Sequence, residues 1–299
     1  MLASFAVNSR WWFLPLLFFV FSPLSGKAAD QDAVSEPADP PPVFARPMVY
    51  LDLVASTWKP RGRSSLGIVP LIRNKLDAAG YRVTQDASAP RDATLTVRYR
   101  EERGKRISTS LYGTHLFCTV TFARSGDSNN VQLAIEERPQ YRDLISAPYV
   151  EVMESFQTNP YFYYLGPVIQ GWMSTNQEPT ASLIDALDRD LYPVGVPEPT
   201  PMDTLLSPSE TFADLNEYYA PEARARTIQE VGRLRDSRGL DLLLRLTTHE
   251  DRLVRAEALR ALEGFDRSVV RPAVLHAADS DADHTVRETA RAMLERLPE

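Results

Sequence analysis

Three stretches near the C-terminus repeat one another at a spacing that dictates a stacked helical array. Residues 223–234, 254–265 and 286–297 align, the second beginning 31 positions after the first and the third 32 after the second. Each carries apolar or small residues at i, i+4 and i+7: Thr227, Val231 and Leu234; Ala258, Leu262 and Phe265; Ala290, Leu294 and Leu297. That spacing is one face of an α-helix. The first position of each stripe is small, which lets neighbouring helices approach closely. Residues 240–246 and 270–277 supply a second helix between copies, so each unit is a hairpin that cannot bury its apolar face alone and must stack on its neighbours.

Asp251 followed by Val254-Arg255, and Asp283 followed by Val286-Arg287, each place a loop aspartate ahead of Val-Arg and an alanine-rich helix. This resembles HEAT-like repeats of the phycobilisome-lyase type. The first copy departs from the pattern, with Ala223-Arg224 after Pro221-Glu222. The resemblance implies a surface for protein partners and is silent on chemistry. It also implies that Arg255 and Arg287 bridge acidic groups between successive turns. A leading helix is predicted over 209–219, with Phe212, Leu215 and Tyr219 facing the stack. So short an array is expected to lean on the rest of the chain, a second copy or a partner.

The other end of the chain bears on location. Arg10 precedes an apolar block from Trp11 to Phe21, and Gly26 and Ala28 follow in a small-residue stretch. These are the parts of a secretory signal peptide, read as residues 1–28 with cleavage after Ala28. The block is shorter than the roughly 20 residues a membrane span needs, so no stable span is expected once it is removed. Its loss takes away Arg10, Lys27 and no acid, and the formal charge passes from −7 to −9. Such an acidic product has no field for neutralising phosphates, which argues against nucleic acid. Cys118 is the single cysteine, so an oxidising compartment gives the monomer no disulfide and stability must come from packing. Cys118 lies among alternating apolar residues and reads as a buried strand position. The expected location is periplasmic or secreted.

Prolines punctuate the remainder. Residues 29–45 are Pro-rich, small and acidic and read as a tether, and 193–208 read as a linker. Between them lies an α/β domain over 46–192, and after them the repeats over 209–299. Met48 to Val54 reads as a strand. Ser64 or Ser65 is a candidate cap for a helix with Val69, Ile72, Leu76 and Ala79 on one face, stopped by Gly80. Leu95, Val97 and Tyr99 alternate with polar residues, as do Leu116, Cys118, Val120 and Phe122. A turn at 125–130 returns Val131, Leu133 and Ile135 as a hairpin partner. Residues 181–191 supply a second covering helix. The predicted fold class is α+β: a two-layer domain, sheet with helices on one face, followed by a short all-α repeat stack. The helix end Leu76–Val83 and the strand 92–97 are similar to small α/β domains of bacterial envelope proteins, such as the N-terminal domain of the Tol–Pal translocation protein.

An insertion at 138–180 is rich in aromatics, including Tyr141, Tyr149 and Phe156. Tyr161, Phe162, Tyr163, Tyr164 and Trp172 are the candidate binding surface, since tyrosine joins a large apolar body to a polar tip. The competing reading makes the same rings the cover of the sheet. His276, Asp279, Asp281, Asp283 and His284 crowd one loop, but a calcium loop starting at Asp279 would place His284 where it needs glycine and Ala290 where it needs an acid. Asp281 or Asp283 reads instead as a helix cap. His249-Glu250 is a lone pair where HEAT-type di-iron hydroxylases use several, and His115 reads as a strand residue. No nucleophile elbow, zinc-protease motif, Cys-x-x-Cys or phosphate loop occurs. The chain is therefore read as a non-catalytic exported scaffold of the cell envelope with a protein partner and no cofactor or metal. The alternatives are a small-molecule or lipid binder using the aromatic insertion, and a lyase-type enzyme. The oligomeric state stays open.

Overall fold

A computed structural model describes residues 46–58, 68–106, 108–109, 112–127, 130–137, 154–193 and 210–296, with backbone only for 210–215. The expected signal peptide, the tether, the cap at Ser64 or Ser65, Tyr141, Tyr149, the linker beyond Pro193, the side chains of Phe212 and Leu215, and Leu297 lie outside that description. The described residues form one compact unit.

Five strands make a mixed sheet in the order β2-β1-β3-β4-β5. They are β1 (Met48–Thr57), β2 (Arg82–Thr84), β3 (Ala93–Arg106), β4 (Tyr112–Arg124) and β5 (Asn130–Glu137). Helix α1 (Ile68–Ala78) connects β1 to the parallel edge strand β2, and β3, β4 and β5 follow as an antiparallel meander. Gly80 ends this crossover at φ 87°, a left-handed backbone that glycine takes without a Cβ penalty. The period-two pattern places Val49, Leu51, Leu95, Val97, Tyr99, Leu116, Cys118, Val120, Phe122, Leu133 and Ile135 on the covered face. Cys118 is indeed buried there, and burial pushes its thiol up to about 12. Arg98, Arg100, His115 and Glu136 lie on the other face, with His115 and Glu136 in contact at 2.9 Å.

Helices α2 (Pro160–Tyr163), α3 (Leu165–Thr175) and α4 (Pro179–Leu191) join α1 over the sheet. Phe156 packs on Phe162 at 3.9 Å between ring centroids, and Trp172 meets Phe122 edge-on at 5.0 Å. Gly166 lets α3 settle on α1, because a Cβ there would lie 2.7 Å from the Lys75 carbonyl oxygen. The buried face of α1 keeps Ile72 and Leu76 of the expected stripe and adds Ile68 and Lys75. Ile68, Ile72, Lys75 and Leu76 are buried, whereas Val69 and Ala79 are half-buried.

The repeats follow as α5 (Glu210–Leu234), α6 (Ser237–Leu246), α7 (Arg252–Ala261), α8 (Arg267–Ser280) and α9 (His284–Arg296). Helix α7 packs between α5 and α9, and α8 packs on α9. Thr227, Ala258 and Ala290, the small residues heading each stripe, are all fully buried. One expectation is corrected. The leading helix and the first copy are a single helix that runs through Pro221. Proline removes one intrahelical hydrogen bond but does not end a helix held along its length by packing.

Four aspartates start the four later helices. Asp236, Asp251, Asp266 and Asp283 each accept from the backbone N–H two residues on, all at 2.8 Å. The cap of α9 is thus Asp283. Asp281 instead receives two parallel bonds from Arg255, at 2.7 and 2.9 Å. The same guanidinium donates to the His249 and Glu250 carbonyls, tying one inter-repeat loop to the next. Desolvation raises the Asp281 carboxyl, but hydrogen bonds from Arg255 and the Asp283 N–H outweigh it and hold it below the usual carboxylate range. Arg287 repeats half of this clamp, donating to the Asp281 and Ala282 carbonyls.

Candidate functional site

The five aromatic residues singled out from sequence do not share one surface. Phe162, Tyr164 and Trp172 are buried, so the sheet-covering reading describes them. Tyr161 and Tyr163 are half-buried and face opposite grooves of the seam between the sheet layer and the repeats. The candidate surface narrows to those two, and what surrounds them comes from α1, α4, α5 and β5.

The seam forms because α5 and α6 of the repeats lie on α2 and α4 of the sheet layer. At one end, Glu137 closes β5 on the apolar side of the sheet, 5% exposed. Its carboxylate accepts from Asn159 at 2.7 Å, from Arg226 of α5 at 2.6 Å and from Ser155. Arg226 also donates to the Ser155 carbonyl and the Thr158 hydroxyl, both at 2.8 Å. Beside this knot a groove of about 940 Å³ is lined by Tyr161, Glu178, Gln229, Glu230 and Arg233, among others. Burial and then the Glu230 charge push the Tyr161 phenol up to about 12.

At the other end, Asp190 of α4 accepts two bonds from Arg224 of α5, both 2.8 Å, and a third from the Tyr164 hydroxyl at 2.6 Å. Desolvation raises the Asp190 carboxyl, and the bonds from Arg224 and Tyr164 more than reverse it. Tyr192 O–H donates to the Arg245 carbonyl, and His249 contacts the Leu191 carbonyl, which accounts for this histidine without a metal. Among the described residues no group of His, Cys, Asp and Glu is placed to hold a metal ion.

This second end opens into a groove of about 970 Å³. Its walls are Ala78 and Ala79 of α1, Tyr163, Tyr164, Gly166 and Pro167 around the start of α3, Ala186 of α4, and Ala220 and Pro221 of α5. Lys75 also lines it, although only 6% exposed. The Lys75 ammonium donates to the Tyr163 carbonyl at 3.1 Å and lies 5.1 Å from the ring centroids of both Phe162 and Tyr163. Desolvation lowers its pKa to about 7.

Sequence reasoning missed Lys75, Glu101 and Glu137, and each left a signal. Lys75 stands three residues after Ile72 and seven after Ile68, on the helix face that must be apolar. Glu101 and Glu137 continue the inward parity of Tyr99 and Ile135, and both are buried. Charged residues at positions patterned for the core require partners supplied by the tertiary fold.

The repeats present a different surface. Their outer side carries polar contacts that link successive units, such as the ion pair of Arg296 with Glu263 at 2.8 Å and the hydrogen bond from Gln229 to Glu257. Leu253, near the start of α7, is an exposed large apolar residue of the repeats, as are Tyr218, Val269 and Leu275. A family model for HEAT repeats matches residues 215–295, which covers most of α5 and continues through α9. No curated protein and no solved structure matches the chain.

Proposed function

We propose that this chain is a non-catalytic, exported scaffold of the bacterial cell envelope whose helical repeats recruit a protein partner. HEAT repeats at 215–295 make a protein-interaction role the natural one for this half, because stacked hairpins present an extended, regularly spaced surface. The observation that carries the proposal is that, among the described residues, the hydrogen bonds and ion pairs joining the array to the sheet layer come from its first hairpin and the loop after it. Arg224 and Arg226 fasten α5 to the sheet layer, and α7 and α9 extend away with Leu253 exposed among charged neighbours. The charged N-terminal flank and apolar block at residues 10–21 support export. Among the described residues no helix is long and apolar enough to cross a membrane.

The test places a photocrosslinking amino acid at Leu253 in the full-length chain expressed in bacteria, with Arg98 on the far side of the sheet as the control position. The expected result is one discrete adduct at Leu253, lost when Arg260 and Arg291 are both changed to Glu, and none at Arg98. Equal labelling from both positions would reject recruitment by the repeats. N-terminal sequencing of the periplasmic fraction should begin at Ala29, and protein retained in the cytoplasm with Met1 intact would reject export.

A further inference from the structure

We infer that the seam groove lined by Lys75 is a binding site for a small carboxylate with an apolar body. The inference is independent of protein recruitment, since it concerns the opposite end of the seam from the outer surface of the repeats. Lys75 has three N–H donors, and among the described residues one of them is used, on the Tyr163 carbonyl. The acid on the facing wall, Asp190, is spent on Arg224 and Tyr164. A nine-tenths buried ammonium is thus left without a counter-ion beside an open groove, an arrangement that costs stability unless something compensates it. Glu137 and Asp190, the buried carboxylates described above, each have a guanidinium partner instead.

The surroundings define the occupant. A single ammonium matches one negative charge. A dianionic phosphate would bring its second charge toward Glu217 and the electron-rich ring faces of Phe162 and Tyr163, an opposition that Arg189 on the lining only partly offsets, since Arg224 is already spent on Asp190. The alanines, prolines and Tyr163 along the walls give the apolar body of a ligand a smooth surface to cover. The wall behind Lys75 cannot retreat, because Gly166 already brings α3 against the Lys75 backbone. The lowered pKa of Lys75 fits a site that gains its proton fully only when an anion arrives.

The other charged groups lining the groove are Arg189 and Asp190 from α4 and Glu217 and Arg224 from α5. Burial raises both Tyr163 and Tyr164, the former to about 12, so neither loses its proton near neutrality. Binding should therefore follow the Lys75 proton and weaken as pH rises through about 7.

The test is calorimetric titration of the full chain with octanoate, octanol, octylamine and octyl phosphate. Octanoate should bind at least about tenfold tighter than the other three, and its affinity should fall between pH 6.5 and 9. Lys75→Met should weaken octanoate at least about tenfold without changing octanol, and Lys75→Arg should retain part of the affinity. Ala78→Trp, at an exposed position on the groove wall, should block all binding, and it decides the matter if Lys75→Met does not fold. Octanoate binding no tighter than octanol, insensitive to Lys75→Met and Ala78→Trp, or absent altogether would overturn the site. Tighter binding of octyl phosphate would overturn the carboxylate assignment.

Discussion

The two ends of the seam treat a buried charge in opposite ways. Glu137 is met by a guanidinium, an amide and a hydroxyl, and the guanidinium that meets it is itself bonded to Ser155 and Thr158. Lys75 is met by one carbonyl and two ring faces. Both residues are nearly inaccessible, so burial alone does not distinguish them. The difference lies in saturation: a charge met by a counter-ion and further donors is a joint, and one with spare donors and no counter-ion beside an open groove is available for recognition.

The comparison breaks most decisively at Arg226. Arg226→Met leaves the Glu137 carboxylate buried with its strongest partner gone, and should destabilise the protein by about 3 kcal/mol, read as a lower urea midpoint. If the loss were below about 1 kcal/mol, the knot would not be what holds the repeats to the sheet.

Lys75→Met should act in the other direction, stabilising the free protein by about 1–2 kcal/mol at pH 6–7 because an under-partnered charge is replaced by an apolar chain of similar length. The pH dependence sharpens the contrast. Lys75 holds its proton less tightly folded than unfolded, so between about 7 and the ordinary lysine value of 10.5 the unfolded chain binds more protons and stability rises with pH. Below about 7 both states are protonated and the cost of the charge is constant. The advantage of Lys75→Met should accordingly be greatest below pH 7 and fade toward pH 10.5, as thermal melts across that range would reveal.

Within the repeats the effects should be smaller. Arg255→Met removes the paired bonds to Asp281 and should cost about 1–2 kcal/mol, whereas Asp266→Ala removes a cap and should cost about 1 kcal/mol. Chemical denaturation of each variant measures both. Changing the exposed Arg260 and Arg291 both to Glu should leave stability within about 1 kcal/mol while abolishing the adduct formed from position 253, which separates the recruiting surface from the joints beneath it.

The regularity of these smaller effects reflects how the repeats were legible. The aspartate caps act over two residues, the stripe Ala258-Leu262-Phe265 over seven, and the Val-Arg element announces the Arg255 clamp. Strand parity likewise placed Leu116, Cys118, Val120 and Phe122 on one face, and Gly80 marked the end of α1. Where such a local rule met a tertiary demand, the demand prevailed: Pro221 did not divide α5, and Lys75 went inward where α3 packs closely on α1 through Gly166. The aromatic insertion could not be resolved from sequence because Tyr161 to Tyr164 offer four similar rings, and only the seat of α2 between the sheet and α5 decides which are covered.

The sequence by itself determined the order of the elements, the sheet's covered face and the stacking of the hairpins, since these follow from periodicity and capping within a few residues. The tertiary structure alone decided the seam. Lys75 meets Tyr163 across 88 positions and Glu137 meets Arg226 across 89. No short-range pattern constrains which charge will find saturating partners at that distance. That outcome is set when the two layers dock, and it makes one buried charge a joint and the other the candidate site.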